Sequence, residues 1–154
     1  MKKEIKIVLV SVASLIAFNL ASVSDAAAAA EGTDGFSVVA NSSVAKTSIS
    51  RTEMKQIMLA NQTKWPGGKN IVIVALSSDA AEGDSVAQAY MSLTSDQAKK
   101  YWLTKVFNLV LPGLPLFGDS TEEVIDKVAT TPGSVAVIPK GKDIGKTKIL
   151  QETN

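Results

Sequence analysis

IMLANQTKWPGGKNIVIVAL, Ile57–Leu76, decides how this chain is read. Its first half continues a helical pattern. Ser50-Arg51-Thr52-Glu53 sets a Ser cap and a Glu three residues on, and Met54, Ile57 and Met58 form one apolar face. Ile49 before the cap and Met54 after it have the spacing of a hydrophobic staple. A helix over about residues 51–60 follows. Trp65-Pro66-Gly67-Gly68 then turns the chain, with Trp65 expected at the rim of that helix. Ile71–Leu76 is apolar without alternation. A strand apolar on both faces belongs inside a sheet covered by helices.

Working outward, Gly35–Ala40 reads as a strand and residues 41–48 as a polar loop. Downstream, Ser77–Ser85 is a polar loop. Val86, Ala89, Tyr90 and Leu93 recur at helical spacing. Thr94-Ser95-Asp96 starts another helix carrying Ala98, Trp102, Val106 and Leu109. Residues 111–119 form a proline-broken loop. Ser120-Thr121-Glu122-Glu123 is a second capping box, and Thr131-Pro132-Gly133 ends its helix. Ser134–Pro139 is a strand, and Lys146–Leu150 a short one in the tail. The alternation predicts an α/β fold, a parallel or mixed sheet flanked by helices.

The N-terminus reads differently. Lys2, Lys3 and Lys6 precede a mostly apolar run over residues 7–23, and small residues follow. Residues 1–30 have the three-part pattern of a signal peptide, with cleavage after Ala30 or Ala26. The domain is then 31–154, and the expected location is the periplasm or the exterior. Residues 1–30 hold Lys2, Lys3, Lys6, Glu4 and Asp25, so 13 basic and 13 acidic residues remain. A neutral chain with one arginine, Arg51, has no field for nucleic acid. The chain has no Cys and no His. Disulfides, lipidation at a cysteine, and the common zinc, haem and thiolate chemistries are excluded. No cofactor is expected.

Four motifs in order resemble those of phosphate-type periplasmic substrate-binding proteins of ABC transporters. They are Ser50-Arg51-x-Glu53-Met54 with Ile57–Asn61, the Trp65–Gly68 turn before a strand, Lys100-Tyr101-Trp102 with Val106-Phe107, and residues 128–137, VATTPGSVAV. The resemblance implies one lobe of a type II periplasmic-binding-protein fold, its sheet mixed and mainly parallel. It implies a non-enzymatic solute-binding protein taking phosphate or another small oxyanion. An ABC transporter permease or another envelope protein is the implied partner, and a single lobe predicts a homodimer. The alternative is an envelope interaction module that has lost its ligand.

Ligands of open α/β sheets bind beyond the carboxyl ends of strands, where a helix N-terminus suits an anion. The candidate ligand-binding residues are therefore Ser77, Ser78, Asp79, Gly83, Asp84 and Ser85. The loop departs from the family pattern. It has no arginine, Ala87 stands near where short members carry one, and Glu82 and Asp84 add carboxylates. Those carboxylates repel a dianion unless they accept its proton or pair with a cation. The competing reading is a solvated connection in which Asp84 or Ser85 caps the next helix. Asp79, Glu82 and Asp84 do not have calcium-loop spacing. Ser43-x-x-Lys46 matches a β-lactamase motif without its partner motifs. Gly145-Lys146-Thr147 lacks the first glycine and the helix of a phosphate loop. Tyr101 and Trp102 read as core and cleft wall. Leu111, Leu114, Leu116 and Phe117 read as buried, with an exposed partner patch as the alternative.

Overall fold

A computed structural model describes residues 35–154. The expected leader, residues 1–30, and its expected cleavage sites lie outside the described residues. The elements are β1 (Phe36–Ala40), β2 (Ser48–Ser50), α1 (Arg51–Met58), β3 (Val72–Leu76), α2 (Gly83–Met91), α3 (Ser95–Phe107), β4 (Leu116–Gly118), α4 (Thr121–Thr130), β5 (Ser134–Pro139) and β6 (Lys148–Thr153). One six-stranded sheet runs β2-β6-β1-β5-β3-β4. β1 is antiparallel to both β5 and β6, while the other pairs are parallel. The mixed, mainly parallel α/β sheet expected from the alternation is therefore present. No helix among the described residues is long and apolar enough to cross a membrane.

β3 sits one strand in from the edge, and Ile73, Val74, Ala75 and Leu76 are all buried. Successive strand residues point to opposite faces, so both faces of β3 are covered. α4 packs on β1, β3, β4 and β5, whereas α1, α2 and α3 pack in sequence on one another and α2 reaches β3. The Thr94 side chain accepts from Gln97 N–H and the Gln97 side chain returns a bond to Thr94 N–H, a full capping box for α3. The Ser50 and Ser120 boxes are half formed: each serine accepts from the glutamate N–H three residues on, at 3.0 and 3.2 Å. Glu53 instead takes Lys46 Nζ at 2.6 Å.

Two aromatic residues bind α3 to the end of α1. Trp102 Nε1 donates to Met58 O at 2.7 Å, and the Tyr101 hydroxyl donates to Leu59 O at 2.8 Å. The last carbonyls of a helix have no partner within it, so these side chains satisfy groups that burial would otherwise strand. Trp102 is also core, as its apolar spacing implied.

Several local expectations need correction. Trp65 is not a rim residue but buried, and its Nε1 donates to Gly133 O at 2.8 Å, joining the two glycine turns. β2 and β4 fall inside segments read as non-strand; three residues are too few to show a period of two. The tail strand is 148–153 rather than 146–150. Leu111 is buried, yet Leu114 and Leu116 are exposed, so the proline segment is covered only in part.

The apolar spacing places Leu109 on the helix begun at Thr94-Ser95-Asp96. It lies past the helix end, 91% exposed, at φ 58°. Leu109 N–H bonds Val106 O and Val110 N–H bonds Lys105 O, the paired closure in which the left-handed position is ordinarily glycine. A branched side chain there is strained. Leu109→Gly is expected to stabilise the protein by about 0.5–1 kcal/mol, read as a higher urea midpoint. An unchanged or lower midpoint would show that Leu109 makes compensating contacts.

Candidate functional site

The carboxyl ends of β3 and β4 are adjacent because the two strands are parallel in register, Leu76 beside Gly118. The next residues lock together. Ser77 N–H donates to Gly118 O at 2.9 Å, and Ser77 Oγ donates to Asp119 Oδ1 at 2.7 Å. Ser77 Oγ also accepts from Asp79 N–H at 3.2 Å. Two tight turns follow, with Ala80 N–H on Ser77 O and Gly83 N–H on Ala80 O. The loop is therefore 77–82, shorter than expected, and Gly83, Asp84 and Ser85 form the first turn of α2.

Gly83 is set by close approach rather than by its dihedrals. A Cβ there would lie 2.2 Å from Ser77 O and 2.9 Å from Ser95 Oγ. Gly83 thus lets α2 start against the end of β3 and the start of α3.

A cleft of about 180 Å³ opens at this point, lined by Ser77, Ser78, Asp79, Ser95, Lys99, Phe117 and Asp119. Of the six residues singled out from the sequence, Ser77, Ser78 and Asp79 line it. Gly83 lies beneath it and Ser85 is exposed on α2 outside it. Asp84 is turned away. Its Oδ1 accepts Ser95 N–H at 2.7 Å, so Asp84 caps the start of α3, not of α2. The capping alternative was right in kind but aimed at the wrong helix. α2 itself begins at Glu82 with no side-chain cap.

Sequence reasoning missed Ser95, Lys99, Phe117 and Asp119. All four are distant in sequence from the loop, and only the parallel β3–β4 pairing and the α2–α3 packing bring them to it. Lys99 Nζ stands 5.7 Å from the Phe117 ring centroid, a cation over an aromatic face. Behind Asp119, Glu123 accepts its N–H at 2.9 Å and also bonds Lys127. The Lys127 hydrogen bond, then the Asp119 N–H, hold the Glu123 carboxyl below its usual range. The cleft therefore combines hydroxyls, two carboxylates and one lysine. Its size and polar lining suit a small polar solute. Among the described residues no three acidic side chains gather as a metal cage.

The other motifs have structural roles. Ser43 Oγ accepts Gly133 N–H at 3.0 Å and Lys46 Nζ is on Glu53, so the Ser-x-x-Lys match does not form a catalytic pair. Lys146 lies in the turn before β6, with no helix after it.

Neither protein-family models nor curated proteins match the chain. Solved structures do. An ABC-type phosphate transport receptor from Vibrio cholerae superposes with TM-score 0.59 at 20% identity, over 77% of this chain and 46% of that one. PstS from Borrelia burgdorferi gives TM-score 0.59 at 16% identity, over 78% and 47%. A substrate-binding protein assigned to a phosphate ABC transporter of Clostridium perfringens, solved with bound phosphate, gives TM-score 0.52 at 12% identity, over 77% and 44%.

Gly83→Ala is expected to cost about 2 kcal/mol or more, since its methyl meets backbone that cannot yield, and urea unfolding checks this. A loss below about 0.5 kcal/mol would mean that α2 shifts freely. By the architecture and these likenesses, the chain has the mixed α/β fold of phosphate-transport substrate-binding proteins, over a little under half of their length.

Proposed function

We propose that this chain is an exported, non-enzymatic solute-binding lobe that takes a small oxyanion at the carboxyl ends of β3 and β4. The observation that carries the reading is the cleft in which Ser77, Ser78, Ser95 and Lys99 face Asp79 and Asp119. It lies where ligands of open α/β sheets bind. The solved neighbours named for phosphate transport, one of them with phosphate bound, supply the ligand class.

The carboxylates set a condition on that ligand. Asp79 and Asp119 repel a fully ionised anion, and one of them accepts a hydrogen bond from an anion that retains a proton. Phosphate keeps a proton near neutral pH; sulfate does not. Export rests on the signal-peptide pattern of residues 1–30 and places the protein in the periplasm or outside the cell.

Calorimetric titration of the purified protein is expected to give saturable phosphate binding at least about tenfold tighter than sulfate binding. Flat traces with both would overturn the reading and move the search to protein partners, as expected of an interaction module.

A second copy is the partner we assign, because Phe107 and Leu109 are 77% and 91% exposed and Leu103, Val110, Leu114 and Leu116 are exposed beside them in sequence. An apolar surface of this kind marks an interaction site. Light scattering is expected to report dimers that Phe107→Ser with Leu109→Ser reduces to monomers. A strict monomer at high concentration would refute self-association and leave a permease or another envelope protein as the partner to seek.

A further inference from the structure

Ser95, which lines the cleft, has a group that no interaction among the described residues uses. Ser95 opens α3, and its N–H is taken by Asp84. Its Oγ is shielded from solvent and has no hydrogen-bond partner among the described residues, and the residue as a whole is 6% exposed. Buried polar groups in folded proteins are almost always paired, so an unpaired hydroxyl on a residue that lines a cleft points to a partner that the chain itself does not provide. The hydroxyl hydrogen of a serine turns about the Cβ–Oγ bond to suit an acceptor.

Lys99 lies one turn further along α3. Residues four apart share a helix face, and both line the same cleft. No carboxylate comes within ion-pair distance of Lys99 Nζ among the described residues, although Asp79 and Asp119 line the same cleft. The other side of the cleft has the opposite character. Asp79 is the charged residue that the segment from Ser77 to Ser85 brings to the cleft lining, and that segment has no Lys or Arg. Positive charge for an anion therefore comes from α3, at the end where the helix dipole is also positive.

We infer that Ser95 and Lys99 form the anion seat of the cleft, holding a small tetrahedral oxyanion such as inorganic phosphate at the start of α3 rather than on the loop 77–85. This rests on the oxyanion reading above. Ser95 Oγ donates to one ligand oxygen and Lys99 Nζ to another, while Ser77, already engaged with Asp119 and Asp79, positions the wall.

The test is calorimetric titration with inorganic phosphate, paired with thermal unfolding, on the full chain and four variants. Lys99→Gln is expected to weaken phosphate binding about tenfold or more, and Lys99→Arg to retain most of it. Lys100→Gln, one residue along and exposed, is expected to change it less than about twofold. Ser95→Ala is expected to weaken binding about fivefold or more while leaving the ligand-free unfolding temperature unchanged or higher. A merely structural serine would do the reverse, lowering that temperature with phosphate affinity intact, and this result would overturn the seat. If wild type binds phosphate and neither Lys99→Gln nor Ser95→Ala weakens it, the oxyanion reading stands and the seat falls. If wild type gives a flat trace, both fall together. Lys99 is exposed, so Lys99→Gln decides the matter even if Ser95→Ala fails to fold.

Discussion

Both faces of β3 are buried, and much of the architecture follows from that constraint. Five residues with no polar side on which to meet water require a helix layer above and another below. α4 covers β3 together with its neighbours β4 and β5; α2 reaches it with α1 and α3 stacked behind. A strand enclosed in this way meets solvent only at its ends. The chain leaves its carboxyl end through Ser77, beside the end of β4, and the cleft forms where the two strands stop.

The helix layer is itself fixed by a few polar contacts. Trp102 and Tyr101 donate to the last carbonyls of α1, Asp84 receives the first free N–H of α3, and Gly83 allows the close packing that brings those two helices to the end of β3. Each contact satisfies a backbone group that burial would otherwise leave unpaired. Ser77, Asp119 and Glu123 form a continuous chain of hydrogen bonds from the end of β3 to the first turn of α4, with Lys127 bonded to Glu123 behind it.

The charge in the cleft is divided by element. The loop after β3 is acidic, the start of α3 has the lysine and the unpaired hydroxyl, and the segment after β4 adds Asp119. On the proposed reading, such a site would distinguish solutes by their protons as well as by their charge. The likeness to phosphate-transport structures extends to the path of the backbone. At 12–20% identity it does not extend to the side chains, and the arginine that the family pattern implies near Ala87 is absent.

The sequence by itself determined the long elements. Apolar spacing, three capping signals and a run apolar on both faces located α1, α3, α4, β3 and β5, because these are local patterns that repeat over several residues. It also led to the carboxyl end of β3 as the place to look. Tertiary structure alone decided the rest. β2 and β4 are three residues each and exist only through their pairing with β6 and β3. Trp65 is buried because Gly133 offers it an acceptor 68 residues away. Ser95, Lys99 and Asp119 carry no local signal of a site; the parallel pairing of β3 with β4 and the packing of α2 on α3 bring them together. Local periodicity reports which face of an element meets the core. It does not report which elements end side by side, and the cleft is made where they do.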